Sequence, residues 1–379
     1  MIDTGYLIDQ AQQRTGLRDF GDDGYIAPLD RLVKSINDEC ELSELGVVGA
    51  PEMLIGGLIN LLEVEACYKK NPEIDDVEVV APVFGLGMPR TGSTAHGFIM
   101  SLDKNTRVLR DWEANRLCPP PEAATQFTDP RIAACEAGNQ QLEAMVPELR
   151  NMLPRDVMGP TECYYMLTYT FATPALETFL NVPSYADWAA SPDFDMEPAY
   201  RFHKRAIKLL QWRCPPNRWF LRSPPHLFGI EALLTVYPDA RFVMTHRDPV
   251  RSVTSMCSFM QRFRSAFIAN PDPIALGPQQ IERWTKALAR TLAVRDRIGE
   301  DRFYDISHRR QVQDPAEQIY GLYEHLGWEF DETLATKIRN WQDENPKGLH
   351  RATPEAFGMT EEMISDSFRF YTDRFKNWL

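Results

Sequence analysis

Val80-Ala81-Pro82-Val83-Phe84-Gly85-Leu86-Gly87-Met88-Pro89-Arg90-Thr91-Gly92-Ser93-Thr94-Ala95-His96 runs from a short apolar stretch through a glycine-bearing loop. It leads into a segment, Ser93 to Leu102, apolar enough for a buried helix. Strand, loop and helix start, in that order, make an anion site. The unpaired N–H groups of the loop and first helical turn converge on one point, and the helix dipole adds partial positive charge there. From Gly87 the chain reads G-M-P-R-T-G-S-T, whereas a nucleoside triphosphatase loop reads G-x-x-x-x-G-K-[ST]. Ser93 stands where the lysine would reach the β- and γ-phosphates, and the cation, Arg90, lies inside the loop. The loop therefore suits a phosphate without being shaped for a magnesium-bound triphosphate. A glycine turn with no ligand is the competing reading.

Working outward, 379 residues suffice for one large or two ordinary domains with a sizeable core. A formal charge of -13 argues against a general binder of nucleic acid or anionic membrane, while leaving room for a local basic pocket. The seven cysteines are odd in number and scattered, with no C-x-x-C pair and no His/Cys cluster. Neither a disulfide framework nor a zinc or other metal site is suggested. The N-terminus carries Asp3, Asp9 and Gln10 rather than a basic then apolar signal segment. No apolar run is read as approaching the roughly 18 residues that span a membrane. The expectation is a soluble, cytoplasmic protein without a nucleic-acid partner or a membrane span.

Residues 1–75 read as an N-terminal helical extension packed on the core, with no strand runs. Pro51 is read at the first turn of a helix whose apolar stripe, Glu52 to Leu62, faces the rest of the fold or a second copy in a homo-oligomer. Arg107 to Glu113 reads as a second strand with a carboxylate at its far end, near the phosphate loop. Helices are expected over 131–149, 161–171 and 197–212, within a helical insertion at about 115–215. Further strands are Arg218 to Arg222, Ala240 to His246 and Arg302 to Ile306, separated by helices. That alternation implies an α/β fold, a P-loop-like doubly wound parallel sheet with extensive helical elaborations over 76–379.

Arg90, Arg222 and Arg247 all fall at strand ends or just beyond them, in a chain that is acidic overall. Arginine stays charged and its planar fork binds phosphate oxygens with several donors. Three on one sheet edge point to a shared anionic ligand. Glu113 reads as a general base or as an ion-pair partner of Arg90 or Arg110; His96 and His226 are rival bases. Tyr164, Tyr165, Tyr169 and Trp188 are either ordinary core or the wall of an apolar pocket.

Met88 to Thr94, Trp112-Glu113, Leu221 to Leu227 and His246 to Pro249 with Ser255 form an ordered set. Together they resemble the sulfotransferases that use 3′-phosphoadenosine 5′-phosphosulfate (PAPS), in a bacterial branch similar also to tyrosylprotein sulfotransferases. The resemblance spans roughly residues 80 to 375. It implies that Arg90, Thr91, Gly92, Ser93 and Thr94 surround the 5′-phosphosulfate, and that Arg247 and Ser255 hold the 3′-phosphate. It implies Glu113 as the base that deprotonates the acceptor. Arg222 stands where the family usually has lysine, and supplies a cation that is a poor proton donor. His308 falls on the adenine side, and Lys347-Gly348 loosely resembles a basic lid. His226 and the four aromatics above are expected to line the acceptor pocket. The implied activity is metal-independent in-line transfer of a sulfuryl group to a hydroxyl or amine of a small, apolar or aromatic molecule, leaving 3′-phosphoadenosine 5′-phosphate. A nucleotide-dependent kinase and a non-catalytic nucleotide-binding protein are the alternatives.

Overall fold

The computed structural model describes residues 1–145, 147, 156–345 and 352–379. Three helices, α1 (Thr4–Thr15), α2 (Ile26–Glu39) and α3 (Glu44–Lys70), precede the first strand. Then follow β1 (Val83–Leu86), α4 (Ser93–Ser101), β2 (Thr106–Val108), α5 (Asp111–Asn115) and α6 (Pro130–Met145). Next come α7 (Tyr164–Tyr169), α8 (Pro183–Ala189), α9 (Glu197–Trp212), β3 (Arg218–Arg222), α10 (Ile230–Val236) and β4 (Arg241–His246). The last elements are α11 (Pro249–Phe267), α12 (Pro273–Ile298), β5 (Phe303–Ser307), α13 (His308–Gln313), α14 (Pro315–Leu326), α15 (Glu332–Glu344), α16 (Glu361–Ser367) and α17 (Arg369–Phe375).

The five strands form one sheet in the order β2-β3-β1-β4-β5, and every neighbouring pair is parallel. Side chains alternate across it as the strand period requires. Val83, Val108, Phe220, Val243 and Ile306 pack with Ile99 and Met100 of α4 and with α14 and α15. Phe84, Trp219, Leu221, Phe242 and Met244 face the larger core shared with α3, α7, α9, α11 and α12. Both faces are covered, so these strands are almost wholly buried and their middles are apolar. This is the P-loop-like α/β architecture expected.

Three local expectations are corrected. β2 stops at Val108, and Glu113 lies in the first turn of α5. Its carboxylate accepts the Arg110 N–H at 3.3 Å, closing a capping box that ends the extended run. Helix α3 begins at Glu44, not at Pro51: Ser43 Oγ accepts the Gly46 N–H, and Pro51 sits inside the helix. The same helix is also long and apolar enough to cross a membrane, with a mean hydropathy of 1.7 over 18 residues. Half of that window is buried, and α3 packs against α1, α7 and α11. A helix apolar on most sides is what a site between several other helices requires.

Candidate active site

The parallel strands all point their carboxyl ends at one rim, where open α/β sheets bind ligands. β1 leads there into the phosphate loop. Gly87 (φ 135°) and Gly92 (φ 92°) both take backbone conformations that side chains rarely adopt. A Cβ on Gly87 would stand 2.5 Å from Thr245 Oγ1, and one on Gly92 would stand 2.9 Å from His308 Cδ2. Arg90 itself has φ 69°, which turns the loop so that its side chain leaves toward α11. Buried Thr91 pins the turn, its hydroxyl lying 2.8 Å from Met88 O and 2.6 Å from Thr245 Oγ1. Gly92 then starts α4 with no side chain capping the helix, so the first-turn N–H groups of Ser93 and Thr94 stay open to a ligand.

Arg90 Nε donates to Ser255 Oγ at 3.1 Å, and Arg247 Nη1 donates to Arg90 O at 2.7 Å. Phosphate loop, strand end and α11 thus meet at the rim of the sheet, where Arg90, Arg247 and Ser255 come together. Among the described residues no carboxylate forms an ion pair with either arginine. By contrast, Arg107, Arg264, Arg283 and Arg295 each meet one. Burial lowers the pKa of Arg90, against the pull of Glu162; burial, Arg90 and Arg251 lower that of Arg247. Like charges that depress one another are relieved by an anion. His308, the first residue of α13 just after β5, stands beside Gly92.

The next strand over supplies Arg222, paired in register with Gly85. Its side chain lies along α4, where Gly97 makes room: a Cβ there would be 2.5 Å from Arg222 Nε. Arg222 Nη1 then donates to Glu162 Oε1 at 2.7 Å.

Glu113 is placed differently from the expectation. It is fully buried, and Arg107 Nη2 donates to its Oε1 at 2.6 Å. Arg107 is held in turn by the carbonyls of Leu210 and Cys214 at the end of α9. The carboxylate ties β2 to α5 and α9, with neither Arg90 nor Arg110 as its ion-pair partner. The two histidines are also interior. His96 is buried against Phe220, and burial with nearby Arg222 pushes its pKa down to about 3. His226 is buried against Phe84, its Nδ1 2.8 Å from Tyr200 OH, and burial holds it well below the ordinary range. Neither reaches the cleft.

Of the expected pocket residues, Tyr164 and Tyr165 stack at 4.3 Å, and Tyr164 faces Phe179 at 6.4 Å. Phe179 meets Phe263, Phe263 meets Phe259, and the Arg90 guanidinium lies 5.7 Å from the Phe259 ring. An aromatic row therefore leads from α7 to the phosphate loop. Tyr169 belongs elsewhere, its hydroxyl donating to Ala114 O in the core. Trp188 packs on Phe194 and under Arg31 of α2, away from the row. Lys347 and Gly348 lie outside the described residues. Phe179, Phe259 and Glu162 were not singled out in the sequence. Phe259 lies one turn after Ser255 on α11, which is the one signal that could have found it.

Residues 82–332 match the model of the sulfotransferase family. The fold superposes on sulfotransferase STF9 from Mycobacterium avium with a TM-score of 0.91 and 28% identity, over 99% of this chain and 97% of that one. Sulfotransferase STF1 from Mycobacterium tuberculosis gives 0.83 and 28%, over 97% and 98% of the two chains. The omega-hydroxy-beta-dihydromenaquinone-9 sulfotransferase Stf3 of Mycobacterium bovis is 22% identical over 265 residues, which is 69% of this chain and 66% of that relative. The arginine cluster at the rim of a P-loop-like sheet now has its context: the chain belongs to the sulfotransferase family of enzymes.

Proposed function

We propose that this sulfotransferase takes PAPS as donor and moves its sulfuryl group to the hydroxyl of a small apolar acceptor. The observation that carries the donor half is the meeting of Arg90 and Arg247, without carboxylate partners among the described residues, beside the uncapped start of α4. A polyanion with phosphates at two separated positions matches that donor set better than a single phosphate does. Arg247 and Ser255 take the 3′-phosphate, while Arg90 and the N–H groups of residues 91–94 take the 5′ end. His308, against Gly92, borders the adenine side. When bound, the nucleotide supplies an activated sulfuryl group on a phosphate leaving group. The protein's share is placement and fixed positive charge, which act without covalent participation in the analogous phosphoryl transfers.

The acceptor half rests on the aromatic row Tyr164, Phe179, Phe263 and Phe259, which ends at Arg90. Rings in that position favour an apolar body that delivers a hydroxyl to the cleft. The Mycobacterium bovis relative is named for an omega-hydroxy compound, in keeping with a hydroxyl acceptor.

Titration calorimetry with 3′-phosphoadenosine 5′-phosphate, against ATP with magnesium, tests the donor. The bisphosphate should bind at least tenfold more tightly, and Arg247→Ala should weaken it by tenfold or more, about 1.4 kcal/mol. Equal binding of ATP, or an unchanged affinity in the variant, overturns the assignment and returns the kinase reading.

A further inference from the structure

Residues 156–163 form a strap across the carboxyl ends of two strands. Trp112 N–H donates to Val157 O, Asp111 N–H to Gly159 O, and Thr161 N–H to Leu109 O at 2.7 Å. At its far end Cys163 N–H donates to Arg222 O at 2.9 Å. Gly159 passes close over Phe98 of α4, so the strap also touches the helix that follows the phosphate loop. Glu162 projects from this strap toward Arg222 at the end of β3, two residues before Tyr164 and its aromatic row.

We propose that Glu162 is the carboxylate that takes the proton from the acceptor hydroxyl, and that Arg222 and Ser223 hold it in place. The inference rests on the sulfuryl-transfer reading above. Glu162 keeps about a quarter of its side chain exposed (24%), whereas Glu113 keeps none. Oε1 is fixed by Arg222 at 2.7 Å, and Oε2 has a longer contact, 3.4 Å, with Ser223 Oγ. One oxygen is anchored and the other is left to work. Arg222 is itself immobilised by Gly97 and its own strand, and Ser223 N–H donates to Gly85 O just before the phosphate loop. The carboxylate is thereby indexed to the loop through two rigid links. Glu162 also lies near enough to Arg90 for its negative charge to oppose the effect of burial there.

In the step proposed, the acceptor O–H bond breaks and its proton passes to Glu162 Oε2. The acceptor oxygen forms a bond to sulfur with its lone pair. The bond from sulfur to the bridging oxygen breaks, and its electron pair leaves on the 5′-phosphate of 3′-phosphoadenosine 5′-phosphate. Glu162 later returns its proton to water.

The test compares Glu162→Gln and Glu162→Asp with the wild-type chain in transfer of labelled sulfate from PAPS to 1-dodecanol and to p-nitrophenol. Calorimetry with 3′-phosphoadenosine 5′-phosphate serves as the check on folding and on the donor site. Glu162→Gln should keep donor affinity and lose about 10²-fold or more in kcat toward the alkanol. The loss should be smaller toward the phenol, whose proton is already acidic. The acid limb of the pH–rate profile should disappear in Glu162→Gln and be retained in Glu162→Asp. Near-wild-type alkanol transfer by Glu162→Gln, or equal losses with both acceptors, overturns the proposal. If wild-type chain transfers sulfate to neither probe while binding the bisphosphate, the proposal falls with its acceptor assignment and the donor site stands. If it does not bind the bisphosphate, the function reading itself is lost.

Discussion

Two carboxylates near the rim, Glu113 and Glu162, differ in what surrounds them, and that difference decides their roles. Glu113 is sealed against Arg107, and breaking a buried pair by removing one partner leaves an uncompensated charge. Glu113→Gln should therefore lower stability by about 3 kcal/mol. Urea unfolding measures this, and the fraction that remains folded should still transfer sulfate. A stable but inactive Glu113→Gln would restore Glu113 as the base. Ser255 was reached only through the family resemblance, whereas the meeting of Arg90 and Arg247 was legible in the sequence because a phosphate loop and a strand-end arginine are local patterns. Glu162 was not, because its partner Arg222 is sixty positions away (|i−j| = 60) and only the fold brings them together. For Glu113 the residue type at a presumed strand end was visible, but Arg107, six positions before it, was not recognised as its partner.

At the scale of elements, α4 does two jobs: its uncapped start lies at the phosphate loop, and its glycine midsection admits Arg222. Gly97→Ala should drive its new methyl into Arg222, at 2.5 Å from Nε and 3.1 Å from Cδ. The expected result is a stability loss of about 1–3 kcal/mol. Transfer should fall while bisphosphate binding by calorimetry is unchanged; weakened binding would place Arg222 with the donor instead. The strands β3, β4 and β5 and helix α9 lie where their patterns predict, since each combines a clear period with clear ends. β2 was read too long because Arg110 to Glu113 has no glycine or proline to mark the turn, and the capping box there uses arginine as its first residue. Helix α12 went unread: Pro278 in its interior looks like a break, yet Asp272 caps the helix and Pro273 occupies its first turn.

Taken whole, the molecule buries four histidines among the described residues: His96, His203, His226 and His246. His96 and His203 are neutral with pKa values lowered by burial to about 3, and burial also holds His226 well below its ordinary value. Unfolding lets each take a proton near the ordinary value of about 6.5. The unfolded chain binds more protons below that pH, so stability is full above it and falls as the solution is acidified toward about 3. Each histidine contributes a slope of roughly 1.4 kcal/mol per pH unit. Urea midpoints should thus drop steeply between pH 6.5 and pH 5; a flat profile over that interval would mean that the rings are charged in the folded state. Asp305, which burial would raise, is held at about 2 by Arg295 and His246, and adds to the acid loss only lower still.

The strand order has a consequence for synthesis. β1 is central, yet both its neighbours, β3 and β4, come from the second half of the chain. At ordinary ribosomal speed the nascent chain waits on the order of ten seconds with its middle strand unpaired on both edges. Shielding by a chaperone during that interval, rather than the strength of the finished fold, should set the yield of protein from a cell.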